Sequence, residues 1–559
     1  MREKVLVIGL DSAALEWVDR WVAEGAMPNL ARLRARGATG ILRTVNPPLS
    51  PAAWSSLATG MLPAKHGIYD HIYRRPGTYD IAPSNAKLRA GKPVWQIISE
   101  GGGKVGVINV PETYPPATVN GFMISGMDTP SDESEWAYPA NLKAELQAAM
   151  GGYKPFGRRS KENLDWSIAG MHQTIPMRVK AATHLWQKYD PNFMILVFME
   201  TDVIQHKCWK YMDPAHPLHN QNPEMTRKYG NTIRDIYTLA DRELGQLLAA
   251  AGDDTSVIVM SDHGAGILRK WLFQNNWLLN QGLMHFKPEA VAQLKYRLFQ
   301  LGFSPANVYD LVAKMRLGLI DKITNRIKKD MASSEKTTPI QRIFLSWRDV
   351  DWSRTKAYTL GGNYLGFYIN LKGREPQGCV EPGAEYEAVR DDIMRRIMEW
   401  RDPDTGERVA NGVYRREELQ QGPYADRAPD VLYTSVREEY YGFGGHEFAR
   451  NILMGSELYW GHHRMDGMIT LSGPRFRQGV RLDRHQIIDV APTILHLLGY
   501  AIPADMDGKV MAQALDPAFL SARPVKLGQE SWISSEGEDV YSEEEEGEVK
   551  ERLKALGYL

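Results

Sequence analysis

A chain of 559 residues, 43% hydrophobic and 24% charged, can bury a large core and has room for two or more domains. Its formal net charge of −1 lacks the basic excess of a dedicated nucleic-acid binder, so no nucleic-acid polymer is expected as a partner. Cys208 and Cys379 are too few for a disulfide framework or a thiolate metal cage. With no apolar leader ahead of Val5 and no run long enough to cross a membrane, a cytoplasmic enzyme is expected.

Residues 5–9 form a compact apolar run, the pattern of a strand buried on both faces. Leu15, Val18 and Val22, then Leu30 and Leu33, follow at helical spacing. Asn46-Pro47-Pro48-Leu49 resists helix, because proline disfavours the helical region for the residue before it. Ser50 then stands at an N-cap, with Pro51 in the first helical position and a helical run over 52–57. Residues 104–110, 193–199, 257–260 and 467–472 read as further strands, and 177–188, 225–251 and 486–498 as helices. This alternation predicts an α/β core, a mostly parallel sheet between helix layers. Ligands of such sheets bind beyond the carboxyl ends of the strands, where Asp11, Asp202 and Asp262 all fall.

The core is expected in two parts, 1–264 and 428–525, with an inserted α+β cap over 265–427 and an acidic linker and terminal helix over 526–559. Within the insert, Leu311, Met315, Leu319, Ile323 and Ile327 recur every four residues among Lys314, Lys322, Arg326, Lys328 and Lys329. Such a helix packs over the core with its lysines in solvent, or touches a membrane surface through 311–327. Segments 358–371 and 386–400 suggest strands and a helix, and 402–407 a turn. Residues 440–446 suggest a substrate loop in which His446 is a candidate phosphate contact.

Several short pieces carry chemistry. Ser50 at a helix start places a hydroxyl where free N–H groups and the helix dipole favour phosphate. Asp202 and His206, four apart, share one face of a helix. Asp262-His263 follows a buried strand, and Gly461-His462-His463 comes late in the chain. Each piece alone has a structural explanation: a cap, a solvated pair, a Ser-Asp-His-Gly turn, a loop with a surface histidine. Together, carboxylates and imidazoles at several strand ends suit a metal site, zinc first.

In this order the motifs resemble those of the alkaline phosphatase superfamily. The nearest branch is the type I phosphodiesterase/nucleotide pyrophosphatase proteins and their predicted phosphohydrolase/phosphomutase group, over residues 4–262 and 428–510. Asp11 matches the family's first aspartate, and Ser50, ten residues before the glycine of Thr59-Gly60, stands where its nucleophile lies. Asp202 with His206, Asp262-His263-Gly264, and Gly461 with His463 match its remaining motifs, leaving His462 as a spacer. Lys65-His66-Gly67-Ile68 and Asp489-Val490-Ala491-Pro492-Thr493 match framework segments.

The resemblance implies two divalent-metal sites, one of Asp202, His206 and His463, the other of Asp11, Asp262, His263 and the Ser50 oxygen. Zinc is the expected ion, with manganese or magnesium as alternatives. It further implies hydrolysis of a small phosphorylated substrate, foremost a phosphodiester, through a phosphoseryl intermediate on Ser50. A phosphomutase, phosphotransferase or phosphomonoesterase on the same site is the alternative; a non-enzymatic membrane-surface binding protein is the third reading. Two departures are visible. His71 stands where the branch carries a phosphate-binding asparagine, and Trp54 fills the position of the sulfatase arginine.

Overall fold

The structure is a computed structural model that describes residues 3–155, 163–303, 343–360, 364–442, 448, 453–455, 460–535, 537 and 540–556. At its centre runs the strand Val5–Leu10, all six residues buried. Phe193–Phe198 pairs with it in parallel on one side and Ser256–Met260 on the other. Val105–Val110 and then Gly121–Ser125 continue the parallel set beyond Phe193–Phe198. Burial on both faces explains why the first four read as unbroken apolar runs rather than alternating ones.

The sheet closes with strands of the other sense. Asp466–Ser472 lies between Ser256–Met260 and Gly37–Arg43, antiparallel to both, and Ala137–Tyr138 is antiparallel at the opposite edge. Val480–Arg481 and His485–Gln486 pair with Gly37–Arg43 in parallel. The mostly parallel, helix-covered α/β sheet expected from the sequence is therefore present.

Two helical expectations break where the backbone requires it. The apolar stripe of 15–33 is two helices, Leu15–Ala23 and Pro28–Ala35, separated at Gly25, whose φ of 77° no side-chain-bearing residue adopts readily. The stretch 225–251 is two helices as well, Pro223–Tyr229 and Thr232–Ala251, with Gly230 and Asn231 between them. Thr232–Ala251 packs against the long helix Leu164–Tyr189 on one face of the sheet.

Between His263 and His463 the chain builds a second sheet, in the order Ala357–Tyr358, Gly366–Ile369, Val431–Ser435, Ala410–Arg415, all antiparallel. It draws strands from both sides of residue 428 and carries the helix Ala384–Glu399. At the root of this region Gly264–Ile267 and Gly461–Arg464 pair antiparallel through four residue pairs. The expected amphipathic helix 311–327 and His446 lie outside the described residues.

The acidic run 543–546, expected as a solvated linker, forms the first turn of the helix Glu543–Leu556, where the helix dipole favours negative charge. This helix docks on the hairpin Ile72–Arg74/Ile81–Pro83 by burying Val549 and Leu553. Lys550 Nζ donates to the Ile81 carbonyl at 3.0 Å, and Glu546 pairs with Arg75 at 2.6 Å. Among the described residues no helix is long and apolar enough to cross a membrane.

Candidate metal centre

The three central parallel strands deliver their carboxyl ends side by side, and each is followed at once by acidic residues. Asp11 follows Val5–Leu10. Asp262 and His263 follow Ser256–Met260, with Ser261 between. After Phe193–Phe198 the helix Glu200–Met212 starts almost directly, with Asp202 in its first turn and His206 one turn later on the same face. The expected N-cap at Ser50 is shifted by one residue. Leu49 is the extended cap residue, its carbonyl accepting from the Ala53 N–H, and Ser50 opens the buried helix Ser50–Thr59. Its hydroxyl is turned away from its own helix and lies 3.1 Å from His263 Nε2. His66 of the expected framework segment braces that helix through a 2.8 Å bond to Ser56 Oγ. His463 is buried in a short strand rather than lying in a surface loop, because Gly461–Arg464 pairs with Gly264–Ile267.

The first donor group is a tight triangle. Asp202 Oδ1 lies 3.1 Å from His206 Nε2 and 3.3 Å from His463 Nε2, and the two Nε2 atoms are 3.2 Å apart. Ligands about 2.0–2.1 Å from a tetrahedral zinc are separated by about 3.3 Å, so this spacing fits a dication at the centre. Tautomers agree with that fit. His206 Nδ1 sits 2.7 Å from the Gly461 carbonyl and His463 Nδ1 2.8 Å from the Pro48 carbonyl. Carbonyls only accept, so both Nδ1 atoms carry hydrogen and both Nε2 atoms turn toward the triangle. Burial alone would raise Asp202 and lower His206, but their mutual charge reverses both, while burial and the neighbouring His263 bring His463 down to about 4. His462, the spacer, stacks on Tyr441 at 3.7 Å.

The second group surrounds His263 Nε2, with Ser50 Oγ at 3.1 Å, Asp262 Oδ2 at 3.2 Å and Asp11 Oδ1 at 3.8 Å. One oxygen of each carboxylate is already held: Trp54 Nε1–H donates to Asp11 Oδ2 at 2.9 Å and the Ser12 N–H to Asp262 Oδ1 at 3.2 Å. The remaining oxygens, Asp11 Oδ1 and Asp262 Oδ2, are buried and meet no hydrogen-bond donor among the described residues. Burial, then the charges of Asp262 and Asp202, push Asp11 well above the carboxylate range, and burial raises Asp262 to about 7. A bound dication reverses that penalty. Carboxylate, imidazole and hydroxyl donors converging on one point fit such an ion. Asp202 is not confined to the first group: a carboxylate oxygen of Asp202, one of Asp11 and a ring nitrogen of His263 lie within 4.8 Å of one another.

Motif reading passed over the residues that hold these ligands in place. Ser12 and Gln205 belong to no recognised motif, although Gln205 Nε2 donates to the Ser12 carbonyl at 3.0 Å. Thr201 Oγ1 donates to the Asp11 carbonyl at 2.7 Å. Trp54 was visible only as a lost arginine. Gly9 is the one sequence hint, since a Cβ there would stand 2.3 Å from Trp54 Cη2. His71 is buried near Asp202, His263 and His463, and burial followed by the His463 charge lowers it to about 3. A cleft of about 390 Å³ opens beside its segment, between core and cap, lined by Tyr69, Asp70, Arg74, Tyr364, Tyr368 and Tyr424 among others.

Comparison with known proteins gives three findings. Residues 5–450 match the family model described as type I phosphodiesterase/nucleotide pyrophosphatase. A search of curated proteins gave no match. Among solved structures, the fold is similar to phosphonoacetate hydrolase from Sinorhizobium meliloti 1021 in complex with phosphonoformate. That match has a TM-score of 0.52 at 16% identity, covering 89% of this chain and 95% of that one. The same enzyme with phosphonoacetate gives 0.53 at 15% identity with equal coverage. At such identity the likeness concerns the fold, which is alkaline-phosphatase-like as the motifs implied.

Proposed function

The chain belongs to the type I phosphodiesterase/nucleotide pyrophosphatase family and is a phosphoester hydrolase of the alkaline phosphatase superfamily; on that premise we propose that it cleaves a small phosphodiester by attack of Ser50 Oγ. Asp202, His206 and His463 would hold one dication and Asp11, Asp262, His263 and Ser50 the other. Zinc suits these donors first, with manganese or magnesium as alternatives. Such ions, when bound, supply Lewis acidity that ionises a hydroxyl near neutral pH and offsets phosphate charge.

The chain's own residues do the rest. The first turn of Ser50–Thr59 directs N–H groups and the positive end of its dipole at the space in front of Ser50, where the phosphoryl oxygens would sit. Ser50 Oγ attacks phosphorus as the bond to the leaving alcohol breaks, and the resulting phosphoseryl ester keeps the substrate's second organic group until water cleaves the Ser50–phosphorus link and frees a phosphate monoester. His71, in the place of the branch's asparagine, is suited to hydrogen-bond a non-bridging oxygen. The cleft between core and cap would receive the organic part of the substrate. The observation that carries this reading is the convergence of Ser50 Oγ, His263 Nε2 and two donorless carboxylate oxygens at one helix start.

The test is hydrolysis of a nitrophenyl phosphate diester beside the matching monoester, by chelated protein with zinc or manganese restored. Diester cleavage that needs metal, and that falls about 10³-fold or more in Ser50→Ala with metal content unchanged, is expected. Preference for the monoester would reassign the site to phosphatase or mutase chemistry. Full activity in Ser50→Ala would remove the serine from the nucleophile role.

A further inference from the structure

Ser12 is buried beside Asp11, yet its backbone lies in the left-handed region at φ 64°. A side-chain-bearing residue is strained there and glycine is not. Every polar atom of Ser12 is engaged at the metal centre. Its N–H donates to Asp262 Oδ1 at 3.2 Å, its carbonyl accepts from Gln205 Nε2 at 3.0 Å, and its Oγ donates to Asp202 Oδ1 at 2.6 Å. The same Oγ lies 3.1 Å from His263 Nδ1, which is also 3.1 Å from the Gly264 carbonyl. That carbonyl can only accept, so Nδ1 carries the hydrogen. Oγ gives its own hydrogen to Asp202 and is free to accept from Nδ1. Hydrogens therefore run one way, from His263 through Ser12 to Asp202. His263 Nε2 is left bare toward Ser50 Oγ and the Asp11 and Asp262 oxygens. Backbone strain persists where surroundings over-determine it, and here those surroundings are ligands of both groups.

We infer that Ser12 is a positioning residue shared by the two metal groups: it fixes the His263 tautomer and holds Asp202 between them, without touching substrate. This rests on the two-dication reading above and adds a residue that the motifs do not contain. The role resembles that of the hydrogen-bond partners of metal ligands generally, whose loss costs about 10–100-fold in metal affinity.

The experiment is zinc titration of chelated protein against a chromogenic competitor, with thermal melts of the metal-free form, for the parent, Ser12→Gly and Ser12→Ala. Ser12→Gly relieves the backbone and removes Oγ. It is expected to melt, metal-free, at or above the parent temperature while both sites weaken about 10–100-fold. Ser12→Ala keeps the strain and loses Oγ, so it should melt lower and bind as weakly as the glycine variant. Should both variants bind two zinc ions within threefold of the parent, Ser12 is only a turn residue and the inference falls. Weakening confined to one site would equally overturn the shared role. A parent that binds fewer than two ions would instead bring down the two-dication reading together with the inference.

Discussion

Trp54 divides the two oxygens of Asp11 between structure and chemistry. Its indole N–H takes Oδ2, so that only Oδ1 faces His263 and the metal space. Trp54→Phe keeps an aromatic ring at this buried position, removes the indole N–H and frees the carboxylate to pivot. We expect affinity at the Asp11–Asp262–His263 group to fall about 10–100-fold, with little change at the Asp202–His206–His463 group. Competition titration for the tighter and weaker zinc separates the two, and equal losses at both would contradict this division. At the residue scale the side chains that converge were legible, because Asp, His and Ser at strand ends and helix starts announce their chemistry. Their partners were not. Ser12 and Gln205 act through backbone direction and through contacts 190 or more positions away in sequence, which no local spacing encodes.

The loops that follow strands Val105–Val110 and Gly121–Ser125 pose a separate electrostatic problem. Glu112 and Asp128 are both buried, with Glu112 Oε2 and Asp128 Oδ1 lacking donors among the described residues and Arg89 the nearby cation. Burial and then the Asp128 charge raise Glu112, and burial raises Asp128 to about 6. The folded state therefore holds these protons more tightly than the unfolded chain. Stability from this pair is greatest at acidic pH and falls as pH rises above about 4, through about 6 for Asp128 and further for Glu112. Glu112→Gln should be more stable than the parent at pH 8 by about 1–3 kcal/mol, an advantage that shrinks toward pH 5. Denaturant melts across pH test it; a pH-independent difference would sink it. Elements were read well where burial was two-sided, as for the strand Phe193–Phe198. They were misjudged where one residue decides the outcome. Gly25 split a stripe that continued as a pattern.

For the whole molecule, the proposed ligands lie on five separated segments, from Asp11 to His463, that meet only in the folded chain. A dication bound there and absent from the unfolded chain adds its binding free energy to stability, about 4 kcal/mol at a thousandfold excess over Kd. The melting temperature should thus rise with the logarithm of free zinc and fall on chelation; a melt indifferent to zinc would separate metal from fold. The paired strands Gly264–Ile267 and Gly461–Arg464 have another consequence. The cap leaves the core on the strand that follows His263 and returns on the strand that bears His463, and these two strands are zipped together at the exit. The core accordingly meets a closed stem, whatever hangs beyond it. Exchanging the enclosed segment would reshape the cleft it shares with the core while the stem holds the segment's two ends in register. A graft should respect the four paired positions together with the contacts the insert makes on the core, such as Arg74–Glu375, Gln420 with the Asn46 carbonyl and Tyr441 with the His463 carbonyl.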